Sequence, residues 1–445
     1  MFLMSCKAYI MLFSVILLFN CTSDNAPSIP PIAGEAKLIK TYGGTKNEGA
    51  SSIINSVDGG YAVLGFAQSI NGDVTGKTND SFDYWVLKFD FESNLQWNKT
   101  YGGTNDDRGK QIIQTSDGGF ALIGYSTSSD IDVTENAGSQ DFWMVKLDIS
   151  GNISWEKSFG FSGIDSGFSI LQSSDNGYLL TGTLDVTSSS GEGNSRSLST
   201  KHAGGDYWVI KLDVNGNKLW SRYFGGTFTD TPHDAIETED KGFIIVGGSD
   251  SDDVDITANN GSYDFWIIKI SNSGDLVWEK SFGGSEIDEA HAITDSGDGN
   301  YLIVGDTRSN DQDVSQNNGA ADLWLIKITE SGDLISEKTF GGTSFDVGRS
   351  ISKTQDNGFL ISGSSRSLDG DLTENNGQND TWVIKLKANS EIEWQQTVGG
   401  SEIDFGYDAV ELDNNTVVLV GDSDSSDKDI PENKGFTDLL LITFK

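Results

Sequence analysis

The stretch that decides the fold is residues 283–342, GGSEIDEAHAITDSGDGNYLIVGDTRSNDQDVSQNNGAADLWLIKITESGDLISEKTFGG. It contains four short segments rich in β-branched, aromatic and other apolar residues, separated by glycine-containing turns or by one long polar loop. Glycine supplies the positive φ that a tight hairpin turn needs. The stretch therefore predicts four antiparallel strands, which we call a, b, c and d in chain order.

The same pattern occurs seven times along the chain. Each copy carries an acidic residue shortly after a Gly-Gly pair or its equivalent, and consecutive acids are 58, 59 or 65 residues apart. These acids, the ring acids, are Glu48, Asp107, Asp165, Asp230, Asp288, Asp346 and Asp404. Seven repeats of four strands predict an all-β fold, a seven-bladed β-propeller of four-stranded blades.

The two ends of the repeat region complement each other. The seventh unit stops after strand c, at DLLLITFK (438–445), whereas AKLIKTYGG (36–44) has the sequence of a strand d with no unit before it. Pairing residues 37–42 with residues 438–444 would complete the last blade and remove two open strand edges. We therefore expect a propeller over residues 37–445 that is closed by its N-terminal strand.

Composition limits the function classes. The formal net charge of −37 is far too acidic for a nucleic-acid-binding protein, and it suggests a surface that attracts cations or basic partners. The two cysteines, Cys6 and Cys21, precede the predicted propeller, which excludes disulfides within it. The sequence does not indicate an oligomeric state.

The N-terminal segment has the features of an export signal. Lys7 is followed by an apolar run at residues 8–19, which is too short to span a bilayer, so residues 1–20 are predicted to be a signal peptide. The run ends in LLFNC, and this resembles a bacterial lipoprotein signal, although Asn20 departs from the small residue usual there. The resemblance implies a lipid on Cys21, a tether over residues 21–36 and an outer-membrane location. The Ser-Asp pair after Cys21 resembles the surface-export tag of Bacteroides-group lipoproteins, and a secreted protein with an incidental cysteine is the alternative.

The repeat units resemble the bacterial β-propeller repeat family, whose pattern is approximately W-x-x-x-x-G-G-S…D…I…D-x-x-G-x-x-x-x-G. The resemblance covers residues 37–445 and implies the fold, but propellers have many activities. Strand d follows D-x-x-G-x-x-x-W, as from Asp213 to Trp220, which is similar to the tryptophan docking motif of quinoprotein and outer-membrane-assembly propellers. Those propellers usually have eight blades, and no residues here mark a quinone site.

All eleven tryptophans occupy two repeat positions, one in strand c and one in strand d. They could be aromatic platforms for sugars, but packing between blades is the stronger interpretation. Burying one tryptophan removes about 150–250 Å² from water, which contributes on the order of 4–6 kcal/mol as an upper bound. A ring without disulfides needs such a core.

The loop between strands b and c carries a repeated acidic pattern, D-[VIL]-[TSP]-x-N-x-G-x-x-D. We expect this loop to share one face of the ring, the top face, with the ring acids. Oxygen ligands at such short spacing could hold Ca²⁺, although capping of backbone N–H groups by Asp and Asn is the alternative. The candidate calcium ligands are Asp132, Asp141, Asp255, Asp264, Asp313, Asp322, Asp371 and Asp380.

One repeat position varies more than its neighbours and is the candidate ligand site. It lies three residues after the ring acid, near the expected top mouth of the central channel. Its occupants, the mouth residues, are Ser51, Lys110, Phe168, His233, His291, Arg349 and Tyr407. Hydrogen-bonding and aromatic groups around a mouth suit a sugar or an anion. The alternative is that the basic members only pair with the ring acids.

Blade three provides a second candidate. Its b–c loop lies within residues 183–208, is seven residues longer than that of blade two, and contains Arg196, Lys201 and His202. Long loops on a rigid scaffold often carry binding contacts, although insertions are also simply tolerated there.

These features favour a binding or scaffolding lipoprotein of the cell envelope that recognises a glycan or a protein through its top face. A second hypothesis is a propeller glycoside hydrolase or polysaccharide lyase with carboxylates, Tyr or His at the mouth. No Ser-His-Asp set, HExxH motif or cysteine-containing metal site is recognisable in the propeller sequence. A structural subunit of an outer-membrane assembly is a third hypothesis.

Overall fold

A computed structural model describes residues 34–189 and 204–445. In this part of the chain, 28 strands form seven four-stranded antiparallel sheets, and there is one short helix, α1 (Val186–Ser189). No helix of the described residues is long and apolar enough to cross a membrane. Each sheet is one blade, built from neighbouring segments of the chain in all but the last, which confirms the seven-bladed β-propeller.

Each blade uses four strands that are consecutive along the chain, except the last. Blade 1 is β2 (Glu48–Asn55), β3 (Tyr61–Ala67), β4 (Asp83–Phe89) and β5 (Leu95–Tyr101); blade 2 is β6 (Asp107–Gln114), β7 (Phe120–Ser126), β8 (Asp141–Leu147) and β9 (Ile153–Phe159); blade 3 is β10 (Ser166–Gln172), β11 (Tyr178–Asp185), β12 (Gly205–Leu212) and β13 (Lys218–Phe224); blade 4 is β14 (Asp230–Glu237), β15 (Phe243–Ser249), β16 (Asp264–Ile270) and β17 (Leu276–Phe282). Blade 5 is β18 (Asp288–Asp295), β19 (Asn300–Thr307), β20 (Asp322–Thr329) and β21 (Leu334–Phe340); blade 6 is β22 (Asp346–Lys353), β23 (Phe359–Ser365), β24 (Asp380–Leu386) and β25 (Ile392–Val398); blade 7 is β26 (Asp404–Glu411), β27 (Val417–Ser423) and β28 (Asp438–Phe444), completed by β1 (Ala36–Tyr42).

The ring is closed by the N-terminal strand, as predicted. Strand β1 pairs antiparallel with β28, with Leu38 opposite Thr443 and Tyr42 opposite Leu439. The last sheet has the order β1-β28-β27-β26. Because β1 covers the outer edge of β28, the closure joins the first strand to the last by a backbone ladder.

The strand-c tryptophans form the interface between neighbouring blades. Trp143, Trp266 and Trp324 have no exposed surface. Each lies against an aromatic ring of the preceding blade; for example, the ring centroids of Tyr84 and Trp143 are 4.7 Å apart. The strand-d tryptophans are less deeply buried. The completely buried strand-c rings cannot stack on a sugar, which supports the packing interpretation for them.

The ring acids hold the connection between blades. Each accepts a hydrogen bond from the backbone N–H of the residue four positions earlier, at 2.6 to 2.7 Å. In blade 5 the Asp288 carboxylate also accepts from the hydroxyls of Thr307 and Ser309. Their repetition in every blade therefore has a structural cause.

Candidate binding site at the channel mouth

A β-bulge explains why the mouth position differs from its neighbours. In blade 1 the pairing of β2 with β3 shifts register between Ala50 and Ser52, which leaves Ser51 unpaired. The other six blades have the same shift around their mouth residue. A bulge re-aims the unpaired side chain. Ile53, two residues on, remains in the core, whereas Ser51 faces the channel.

The bulges bring all seven mouth residues to one cavity of about 320 Å³. Ala50 and Phe66 complete its lining. The volume lies at the lower end of the range of about 300–1,000 Å³ that is usual for ligand pockets. A deeper cavity of about 200 Å³ continues into the channel and is also lined by the residues that follow the bulges, among them Asp234 and Asp408.

Two carboxylates in the deeper cavity join blades rather than offering a free ligand site. Asp234 accepts a hydrogen bond from the Ile293 N–H and another from the Ser169 hydroxyl, each at 3.1 Å. Asp408 accepts from the Ile53 N–H at 2.9 Å. Burial raises the pKa of Asp408 to about 6, and the hydrogen bond from the Ile53 N–H opposes the rise. The floor of the site is therefore a structural network.

The two cations at the mouth do not pair with the ring acids. Within the described part of the chain, neither Lys110 nor Arg349 forms an ion pair with any carboxylate. The Lys110 ammonium lies 6.0 Å from the centroid of the Phe168 ring. Burial lowers the pKa of Lys110, and the charge of Arg108 adds to this. The alternative that these groups only neutralise ring acids is wrong for the described residues.

The histidines also use other partners than the ring acids. His233 Nε2 lies 2.9 Å from Glu289 Oε1, and the His233 and His291 rings are 5.0 Å apart. Burial opposes ionisation of Glu289, but the hydrogen bond with His233 and the nearby charges of His291 and Arg349 outweigh it. The pKa of Glu289 is therefore lowered to about 2.

His291 is the most buried of the mouth histidines, with 8% of its surface exposed. Its Nε2 lies 3.0 Å from Asp306 Oδ1 and 3.2 Å from a terminal nitrogen of Arg349. Burial lowers the pKa of His291, and the positive charge of Arg349 contributes to the same shift. Three possible ligand atoms lie within 4.8 Å of one another, one from each of His233, Glu289 and His291, which is close enough to hold a metal ion.

Sequence reasoning missed four residues of the site: Phe66, Glu289, Asp306 and Asp422. Phe66, Asp306 and Asp422 occupy one repeat position in strand b, and Asp306 lies directly opposite Glu289 in the sheet. Asp422 hydrogen-bonds to the Tyr407 hydroxyl, and burial together with Asp424 raises its pKa to about 7. Variation between repeats could have identified this strand-b position, since its seven copies are Phe, Tyr, Thr, Gly, Asp or Ser.

The candidate residues of the long blade-three loop, Arg196, Lys201 and His202, lie outside the described residues. The structure therefore leaves their role as a prediction.

The candidate calcium ligands cap backbone groups. Asp264 accepts a hydrogen bond from the Asn260 N–H at 2.6 Å, and Asp313 from the Gly283 N–H at 3.2 Å. The same pattern holds for the others: Asp132, Asp141, Asp255, Asp322, Asp371 and Asp380. Over residues 34–189 and 204–445, the carboxylates of these loops form no cluster of three within 4.8 Å. The expected backbone capping is present, and calcium binding stays a prediction.

Blade 1 neutralises its loop carboxylate with a lysine. The Lys77 ammonium lies 2.8 Å from Asp83 Oδ2, and the two side chains are 1% and 10% exposed. Burial raises the pKa of Asp83 to about 6 even though Lys77 opposes the shift. At the same repeat position, Asp264 and Asp322 each have a buried Oδ1 without a hydrogen-bond partner.

No family model matches the chain. The regulatory protein FlaEY of Caulobacter vibrioides is 23% identical over 246 residues, which is 53% of this chain but only 24% of that protein. This chain thus spans about a quarter of the length of the curated relative it matches.

Solved structures similar to the chain include propellers of several kinds. The WD40 domain of Neurospora crassa Pan2 covers 88% of each chain at 8% identity with a TM-score of 0.48. Chaetomium thermophilum Sqt1 covers 92% of this chain and 100% of its own at 10% identity with a TM-score of 0.44. A Xanthomonas campestris gluconolactonase covers 93% and 91% at 8% identity with a TM-score of 0.39. The fold assignment rests on the strand pairing described above.

Proposed function

We propose that this protein is a binding module of the bacterial cell envelope and that its channel mouth binds an acidic sugar residue of a glycan. The observation that carries the proposal is the pair of cations, Lys110 and Arg349. They line one cavity without a carboxylate partner among the described residues, in a chain whose net charge is −37. Cations that form no ion pair in such an acidic chain favour an anionic ligand.

The other mouth residues suit the rest of a sugar. Phe66 and Phe168 offer apolar ring surface to the non-polar face of a pyranose. Arg349 is an exposed residue, and its guanidinium can bind a carboxylate through two parallel hydrogen bonds. Tyr407 and the histidines supply hydrogen-bonding groups for hydroxyls. The cavity volume of about 320 Å³ fits one terminal sugar residue rather than a long chain.

We further propose that Cys21 carries the lipid that holds the propeller at the outer membrane. The apolar run at residues 8–19 and the LLFNC sequence support this proposal. Metabolic labelling with an alkyne fatty acid tests it: label should be incorporated in the wild type and in Cys6→Ser but not in Cys21→Ser. Equal labelling of Cys21→Ser would contradict the anchor.

A glycan array that contains uronate-bearing and matched neutral glycans tests the ligand class. We expect the purified protein to bind uronate-bearing glycans, and Lys110→Ala/Arg349→Ala to bind them at least about tenfold more weakly, since charged hydrogen bonds contribute about 1.5–3 kcal/mol each. Lys99→Ala/Lys338→Ala is the matched control, because it removes the same charge from strand d, where both lysines bond to the next blade.

The array separates the alternatives. Binding that is equal for acidic and neutral glycans, or equal in the two double variants, would contradict an acidic-sugar site at the mouth. Absence of glycan binding by a correctly folded wild type would contradict the proposed ligand class.

A further inference from the structure

The mouth contains a cluster of possible metal ligands beside Lys110 and Arg349, the two cations on which the sugar proposal rests. His233 and His291 come from the bulges of blades 4 and 5, and Glu289 lies two residues before His291 on β18. One ligand atom of each lies within 4.8 Å of the others. We propose that these three side chains bind a first-row transition metal ion such as Zn²⁺.

The set of donors fits such an ion. Two imidazoles and one carboxylate are a usual protein ligand set for Zn²⁺. Imidazole nitrogen also suits Co²⁺ and Ni²⁺, whereas Ca²⁺ and Mg²⁺ prefer oxygen ligands throughout. The cluster therefore differs in chemistry from the all-oxygen b–c loops. Its side chains line or border an open cavity, so that water or a ligand atom could take a remaining coordination position.

Asp306 supplies the support that a ligating histidine usually has. Asp306 Oδ1 lies 3.0 Å from His291 Nε2. If Nε2–H donates to Asp306, the free lone pair of the neutral ring is on Nδ1. A carboxylate that orients a histidine in this way is the common outer partner of metal-bound imidazole.

Arg349 acts against the metal ion. Its terminal nitrogen lies 3.2 Å from His291 Nε2, so its positive charge lies beside the cluster. The same Nε2 cannot accept from Arg349 and donate to Asp306 at once. A nearby like charge opposes binding of a cation. Removing Arg349 should therefore strengthen metal binding, although the same change should weaken the binding of an acidic sugar.

Isothermal titration with Zn²⁺ of the purified protein, first dialysed against a chelator, tests the proposal. We expect one ion per chain, and binding at least about tenfold weaker in His233→Ala and in Glu289→Gln. Glu286→Gln is the matched control, since this exposed carboxylate lies in the preceding loop and outside the cavity lining. Arg349→Gln should bind Zn²⁺ about fivefold more tightly.

Co²⁺ provides an independent readout that does not depend on stability. Its visible absorption in the wild type should indicate nitrogen and oxygen ligands, and the bands should be lost in His233→Ala that retains the circular dichroism of the wild type. Zn²⁺ affinity that is the same in Glu289→Gln and Glu286→Gln, or the absence of any binding, would overturn the proposal. These titrations contain no glycan, so their failure would leave the acidic-sugar proposal standing.

Discussion

The substitution Lys77→Met would test how blade 1 tolerates a buried carboxylate. Lys77 and Asp83 are 1% and 10% exposed and 2.8 Å apart, with Asp107 close enough to raise the pKa of Asp83 further. Removing one partner of a buried ion pair typically costs about 3–5 kcal/mol, because the remaining charge is left without compensation. We expect a loss of about 3 kcal/mol in the free energy of unfolding at pH 8.

The loss should depend on pH. Without Lys77, the pKa of Asp83 in the folded state rises above its present value of about 6, whereas the unfolded value is about 3.9. The folded state then binds a proton that the unfolded state releases, so stability increases as the pH falls through this window. At pH 5 the loss should therefore be clearly smaller than at pH 8.

Urea denaturation at both pH values measures these quantities. Lys46→Met is the matched control: the Lys46 and Asp80 side chains are 33% and 72% exposed, so solvent screens that pair and its loss should change stability little. Lys77→Met/Asp83→Asn should recover most of the loss. An equal loss at pH 5 and pH 8, or a loss at pH 8 no larger than that of Lys46→Met, would refute the reasoning.

Three further predictions concern the whole ring. In chelator-containing buffer, lowering the pH from 8 to 5.5 should raise the melting temperature, because burial raises the folded-state pKa of Asp230 and of Asp264 to about 7. A melting temperature that stays the same or falls would contradict this. If the b–c loops bind calcium, added calcium should raise the melting temperature more at pH 8 than at pH 5.5. Deleting β1 (Ala36–Tyr42) exposes the edge of β28 and should lower the urea midpoint and cause self-association in size-exclusion chromatography; an unchanged midpoint and elution volume would argue against the closure. Trp324→Ala should lower the free energy of unfolding, measured by urea denaturation, by about 3–5 kcal/mol. Trp278→Ala removes a partly exposed ring and should lower it clearly less. Equal losses would show that burial of the ring does not determine the loss of stability.

The fold was predictable from the sequence because one pattern occurs seven times and its ends complement each other. The strand-d sequence at residues 36–44 could only be completed by the last unit, and β1 pairs with β28 as expected. A sequence that repeats at a nearly fixed period predicts that one structural unit is repeated.

The site was predictable only in part. Variation between repeats identified the mouth position, but alternation along a strand would place Ser51 and Ile53 on one face. The bulge separates them, and no residue at this position signals it, since the occupants range from serine to arginine. Glu289 and Asp306 were missed because their relation to His233 and His291 depends on the pairing register and on the packing of blade 4 against blade 5.

The bulge also has a consequence for protein engineering. It places one side chain from each blade in a common space, and these side chains differ from blade to blade, while the ladder on both sides of the bulge remains intact. A library that randomises only these seven codons would therefore change the chemistry of the whole mouth and leave the buried tryptophans between the blades unaltered.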